Sequence, residues 1–224
     1  MRKLVIAPHP DDEILGCGGY LLKSKYNKDE ISWLICTSLL PEEGWETKYI
    51  QSKSQQIEKV REKLGVKNNN LFFLDLPTTK LDKYPMSFLV NKISKVINKF
   101  KPEELLLPHP GDIHSDHKII FEASITTTKW FRYPFMKRFL TYETTSETNF
   151  GLDPRYLPFN PNIFVDISAY LNEKLEIMKI YESEIGVYPF PRSIESISAQ
   201  AKSRGTQSGF DAAEAFYLLK EIID

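Results

Sequence analysis

Short apolar runs alternate along this chain with longer stretches in which apolar residues recur at helical spacing. Runs at 4–7, 31–37, 71–74, 105–107 and 139–142 are each bounded by polar residues or proline, and they predict buried strands. Between them, the segment opening at Asp11-Asp12-Glu13 carries Ile14, Leu15, Tyr20, Leu21 and Leu22 on one helical face. Further helices are expected over 46–64, stopping at Gly65, over 87–100, closed by Lys101-Pro102, and following His117. Beyond Phe150 the prolines at 154, 158 and 161 mark an irregular crossing, after which 167–185 and 212–223 read as helical. The alternation predicts an α/β, Rossmann-like fold: a mostly parallel sheet with helices on both faces and a C-terminal helical appendage.

At 224 residues the chain fits a single domain spanning 1–224, large enough to bury a core without staples. A formal net charge of −1 argues against a nucleic-acid surface, so a small-molecule partner is expected. Cys17 and Cys36 fall in apolar segments and read as core thiols rather than a disulfide framework. The apolar start of the chain is interrupted by Pro8 and the acidic cluster, far short of a signal sequence, and nowhere is there an apolar stretch long enough to span a bilayer. A soluble cytoplasmic protein is the expectation; homo-oligomerisation is left open.

Three of the four histidines lie in two short stretches crowded with carboxylates, Pro8-His9-Pro10-Asp11-Asp12-Glu13 and His114-Ser115-Asp116-His117. Imidazole and carboxylate are the usual ligands of a catalytic zinc, which takes three protein groups and keeps one position open. His9, Asp12 and one histidine of the second stretch would make such a set, with Asp11 free to accept a proton and Glu13 or Asp116 available to hold an imidazole. Each residue alone has a plainer role: Asp11 or Asp12 as a helix N-cap, His114 as a loop histidine, His109-Pro110-Gly111-Asp112 as a turn. The conjunction of two clusters, each after a predicted strand, favours a built site. Ligands in open α/β sheets sit beyond the carboxyl ends of the strands where strand order reverses, so the two clusters share a crevice if the first and fourth strands are neighbours. Gly16-Cys17-Gly18-Gly19 lacks dinucleotide spacing and is read as close helix-to-sheet packing. No nucleophile elbow surrounds Ser115, which leaves a serine hydrolase weakly supported.

These two stretches also resemble the signature motifs of the LmbE-like, or PIG-L-like, zinc-dependent N-deacetylases, which remove acetyl groups from N-acetylglucosaminyl compounds. Similarity continues through Tyr142-Glu143, Phe164-Val165-Asp166-Ile167, Pro191-Arg192-Ser193 and Ala213-Glu214-Ala215-Phe216. The resemblance implies Zn2+ held by His9, Asp12 and His117, and Asp11 as general base. It also implies that His114 stabilises the tetrahedral intermediate or protonates the amine, with Asp116 orienting it. Where members of the family often carry an arginine that grips the substrate, this chain has Lys53, a flexible ammonium in place of a forked guanidinium. Tyr142, Glu143, Arg192 and Arg204 are further candidates for holding an N-acetylated sugar, sugar nucleotide or glycoconjugate, each with an ordinary surface alternative. Two rival functions stay open: a metal-dependent hydrolase of another amide or an ester, and a non-catalytic sugar-binding protein.

Overall fold

Alternate residues of the first strand go to opposite faces of the sheet, and each face is covered. In the computed structural model, which describes residues 1–156 and 158–223, Val5 and Ala7 enter one apolar cluster and Leu4 and Ile6 another. All four are fully buried, as a strand sandwiched between helices requires. Among the described residues the sheet comprises β1 (Arg2–Ala7), β2 (Glu30–Ser38), β3 (Leu71–Pro77), β4 (Glu104–Pro108), β5 (Arg138–Tyr142), β6 (Ile163–Asp166) and β7 (Ala213–Glu221), ordered β3-β2-β1-β4-β5-β7-β6. The strands β1 to β5 run parallel; β7 lies antiparallel to both β5 and β6. β1 pairs with β4 through Leu4 and Leu105, so the chain reverses its direction of winding there. That adjacency is the condition under which the two histidine clusters meet.

The helices are α1 (Asp12–Tyr26), α2 (Thr47–Leu64), α3 (Met86–Phe100), α4 (Ser115–Ile125), α5 (Leu171–Met178) and α6 (Ile194–Thr206). Gly65 ends α2 in the left-handed conformation, its N–H bonded back to Glu62, as a C-terminal glycine does. Cys17 and Cys36 are buried in the separate clusters on the two faces, which rules out a bond between them. Among the described residues no helix is long and apolar enough to cross a membrane.

The C-terminal region departs from the sequence reading. The stretch read as a helix over 212–223 is the strand β7, and β6 and α6 lie outside the elements the pattern predicts; the 167–185 helix is limited to α5. Instead of a helical appendage alone, this region adds two antiparallel strands to the sheet. The reason lies in a break in α1. Cys17 is non-helical there (φ −146°), which frees the carbonyl of Leu15 and the N–H groups of Gly19 and Tyr20. Glu214 on β7 accepts from Gly19 N at 2.8 Å and Tyr20 N at 2.7 Å. Lys174 on α5 donates to Leu15 O at 3.0 Å and to Glu214 at 2.6 Å. One buried ion pair thus satisfies both sides of the break, and it requires Glu214 to come from an element lying beside α1. The glycines around the break allow this packing: a Cβ on Gly16 would sit 2.2 Å from the Tyr142 ring, and one on Gly19 would sit 2.8 Å from Ile167.

Candidate active site

Leaving β1, the chain passes through Pro8-His9-Pro10 and enters α1 at Asp11, whose backbone is held at φ 141°. This is a sparsely populated conformation for a residue with a Cβ, and such strain is found where the surrounding structure fixes a group in place. Asp11 occupies the N-cap position yet makes no side-chain capping bond, so the plain capping role does not describe it. From β4 the chain loops through His109–Asp112 and starts α4 with His114, whose Nδ1 accepts the Asp116 N–H at 3.1 Å.

Around the crevice between β1 and β4, Asp12 Oδ2 lies 3.4 Å from His9 Nδ1 and 3.3 Å from His117 Nε2. The ligand atoms of His9, Asp12 and His117 all fall within 4.8 Å of one another. A tetrahedral ion with bonds of about 2.0–2.1 Å spaces its ligands by about 3.3–3.4 Å, so the set fits zinc. His117 Nε2 is buried without a hydrogen-bond partner, while its Nδ1 is 2.8 Å from the fully buried Asp112 Oδ2. An imidazole whose far nitrogen is held by a carboxylate and whose near nitrogen is unpartnered is arranged as a metal ligand. His9 follows the same logic: its Nε2 is 3.1 Å from Asp116 Oδ2, leaving Nδ1 toward Asp12. A second group, His9, His114 and Asp116, is also close enough to share an ion. In that group Asp116 Oδ2 accepts from Thr79 N and pairs with His9, and His114 Nδ1 accepts the Asp116 N–H, while Asp116 Oδ1 is buried without a hydrogen-bond partner.

The electrostatics point to the same place. Burial disfavours a charged His9, but the Asp116 and Asp12 hydrogen bonds outweigh it and raise the imidazole to about 9. His117 is likewise raised, with Asp12 and Asp112 overcoming burial, and the two imidazoles hold Asp12 far below the usual carboxylate range against its own burial. Carboxylates gathered about two imidazoles at one buried point favour a cation there. Asp11 goes the other way. Burial, then repulsion from Asp12 and Glu184, push it up to about 8, opposed by Arg192 and His9. Burial and the neighbouring His9 and His117 lower His114 to about 4, and with Nδ1 accepting from the backbone, the neutral ring carries its proton on Nε2.

His9, Asp11, Asp12, His114 and His117 line one cleft of about 900 Å³ together with Lys53 and Arg192. Lys53 Nζ is 2.7 Å from Glu184, and Arg192 lies 3.6 Å from Asp11 Oδ2 and 3.7 Å from Glu184. The Asp116 carboxylate lies 3.1 Å from His9 Nε2 against 4.0 Å from His114 Nδ1, while the Asp116 backbone N–H holds His114 Nδ1 at 3.1 Å. Glu13 bonds elsewhere than to the imidazoles: it accepts from Asp11 N and Tyr181 Oη. Tyr142 and Glu143 are not brought to the cleft. Tyr142 is fully buried with its hydroxyl on Ile6 O, and Glu143 grips Arg204 and Gln200 beside the packing of α6. Two residues of the cluster escape sequence reasoning. Asp112 reads as a turn former, its signal being only an acid five residues before His117; Glu184 has no local signal, since Lys53 lies 131 residues away.

A family model described as PIG-L, GlcNAc-PI de-N-acetylase, matches residues 4–128. A diacetylchitobiose deacetylase from Thermococcus kodakarensis is 31% identical over 198 residues, 82% of this chain and 70% of that protein. Among solved structures, the conserved protein TT1542 from Thermus thermophilus superposes with a TM-score of 0.77 at 24% identity, covering 99% of this chain and 96% of that one. The N,N'-diacetylchitobiose deacetylase from Pyrococcus horikoshii gives a TM-score of 0.76 at 19% identity, covering 98% and 84%. The last two likenesses concern the fold.

Proposed function

This chain belongs to the PIG-L family, and from that premise we propose that it hydrolyses the N-acetyl group of an N-acetylated amino sugar or its conjugate, releasing acetate and the free amine. The observation that carries the reading is the meeting of His9, Asp12 and His117 beside a strained Asp11 whose side chain makes no capping bond. His9 through Nδ1, Asp12 through Oδ2 and His117 through Nε2 would hold the metal, for which zinc suits the donors. Bound there, zinc would acidify a water and polarise the acetyl carbonyl.

Asp11 is the base. Its carboxylate takes the proton of the attacking water and delivers it to the nitrogen as the C–N bond breaks, which balances the reaction without another donor. His114 presents Nε2–H to the oxygen that gains negative charge as the amide carbon becomes tetrahedral; a neutral donor already fixed by the α4 backbone needs no reorganisation. Asp112 and Asp116 keep His117 and His9 turned toward the ion. Arg192 and Lys53, which line the same cleft as Asp11, face the sugar. The test is release of primary amine from N-acetylglucosamine compounds by the zinc-loaded protein, run beside ester and phosphate substrates. Amine release supports the deacetylase. Hydrolysis of the ester alone would favour another hydrolase, and no turnover of any substrate would favour a binding protein.

A further inference from the structure

Away from the histidines the cleft changes character. One wall is built from Leu39, Leu40, Trp45, Ile50, Ile57 and Phe73. These come from the loop after β2, from α2 and from β3, so the wall continues the crevice across the carboxyl ends of neighbouring strands. Trp45 and Phe73 are each 42% exposed. Large apolar side chains left open in a concave site mark the place where a ligand buries apolar surface. The wall is also held in shape: the loop bearing Leu40 and Trp45 is tied by an ion pair between Glu43 and Lys80 to the turn that follows β3.

The charges lining the cleft complement this. The carboxylates Asp11, Asp12, Glu58, Asp75, Glu147 and Glu184 outnumber the cations Lys53 and Arg192 among the described lining residues. Both cations are engaged within the protein, Lys53 by Glu184 at 2.7 Å and Arg192 between Asp11 and Glu184. A diphosphate is gripped by several unengaged cationic N–H donors, and these two lining cations are already paired with carboxylates.

We propose that the cleft takes a neutral N-acetylated glycoside with an apolar aglycone lying against Trp45 and Phe73, in preference to a sugar nucleotide. This rests on the deacetylase reading for the sugar end and on the wall for the other. The experiment measures binding by calorimetry to the zinc-loaded Asp11→Asn protein, with octyl N-acetyl-β-glucosaminide below its micelle concentration, free N-acetylglucosamine and UDP-N-acetylglucosamine as probes. The octyl glycoside is expected to bind about tenfold or more tightly than either of the others, from the apolar surface it buries. In the Trp45→Ala/Phe73→Ala background that advantage should shrink to about twofold. Binding of the UDP-sugar as tight as that of the octyl glycoside, or an advantage that survives the double substitution, overturns the proposal. Turnover of the same probes by the unsubstituted protein is read separately: an octyl preference in binding with no amine released would refute the deacetylase and leave the apolar subsite standing.

Discussion

His117 Nδ1 and Asp112 Oδ2 lie 2.8 Å apart in a pocket from which both side chains are closed to solvent. The contact decides which imidazole nitrogen carries the proton and where the other one points. Asp112 is itself fixed by the Thr148 hydroxyl, which donates to its second oxygen at 2.6 Å. Asp112→Asn should therefore lower zinc affinity by about 10- to 100-fold. Competition with a graded chelator measures it, and an unchanged affinity would remove Asp112 from the account.

Asp11→Asn keeps the size of the side chain and removes the carboxylate proposed as base. Zinc content and fold should be retained while the deacetylation rate falls by about 10²- to 10⁴-fold, read from initial rates of amine release. Full activity would mean that the water is deprotonated elsewhere.

The same position predicts a stability effect of opposite sign. Asp11 holds a left-sided φ of 141°, buried next to Asp12 and near Glu184. Glycine adopts such a conformation freely and carries no charge, so Asp11→Gly should gain about 1 kcal/mol once the extra freedom of the unfolded glycine is subtracted. Denaturant unfolding of the two metal-free proteins checks it; a less stable variant would show that the backbone there is not under strain.

His114→Ala should lower kcat by about 10²- to 10³-fold with zinc content preserved, as loss of a single donor to a developing oxyanion does. Steady-state rates beside metal analysis separate the two effects. Loss of zinc in step with activity would instead make His114 a ligand.

Removing one partner of the Lys174 and Glu214 pair strands a buried charge at the break in α1. Lys174→Met alone should cost about 3–5 kcal/mol, and adding Glu214→Gln should recover part of it. Equilibrium unfolding of both variants decides, and additive losses would argue against the coupling.

The parts of this structure that could be read in the sequence are those specified locally. His9 and His117 were legible because each cluster comes after an apolar run, and strand ends are where α/β sheets put ligands. What escaped is specified from a distance. Ala213, Glu214, Leu218 and Lys220 are residue types common in helices, yet Ala213 and Ala215 are buried and Glu214 caps α1 from 195 residues away in sequence. Tertiary contacts override propensity in such a segment. Tyr142 and Glu143 were candidates for holding the sugar, in a stretch that shares the family resemblance, but the ring fills the space left by Gly16 and the carboxylate turns to Arg204.

The central claim is that one ion is gripped by His9, Asp12 and His117. Its most direct test is the zinc content, by elemental analysis after dialysis, of the unsubstituted protein and of His117→Ala. The account predicts one zinc per chain in the first and little or none in the second; a full complement of zinc retained by His117→Ala would contradict it.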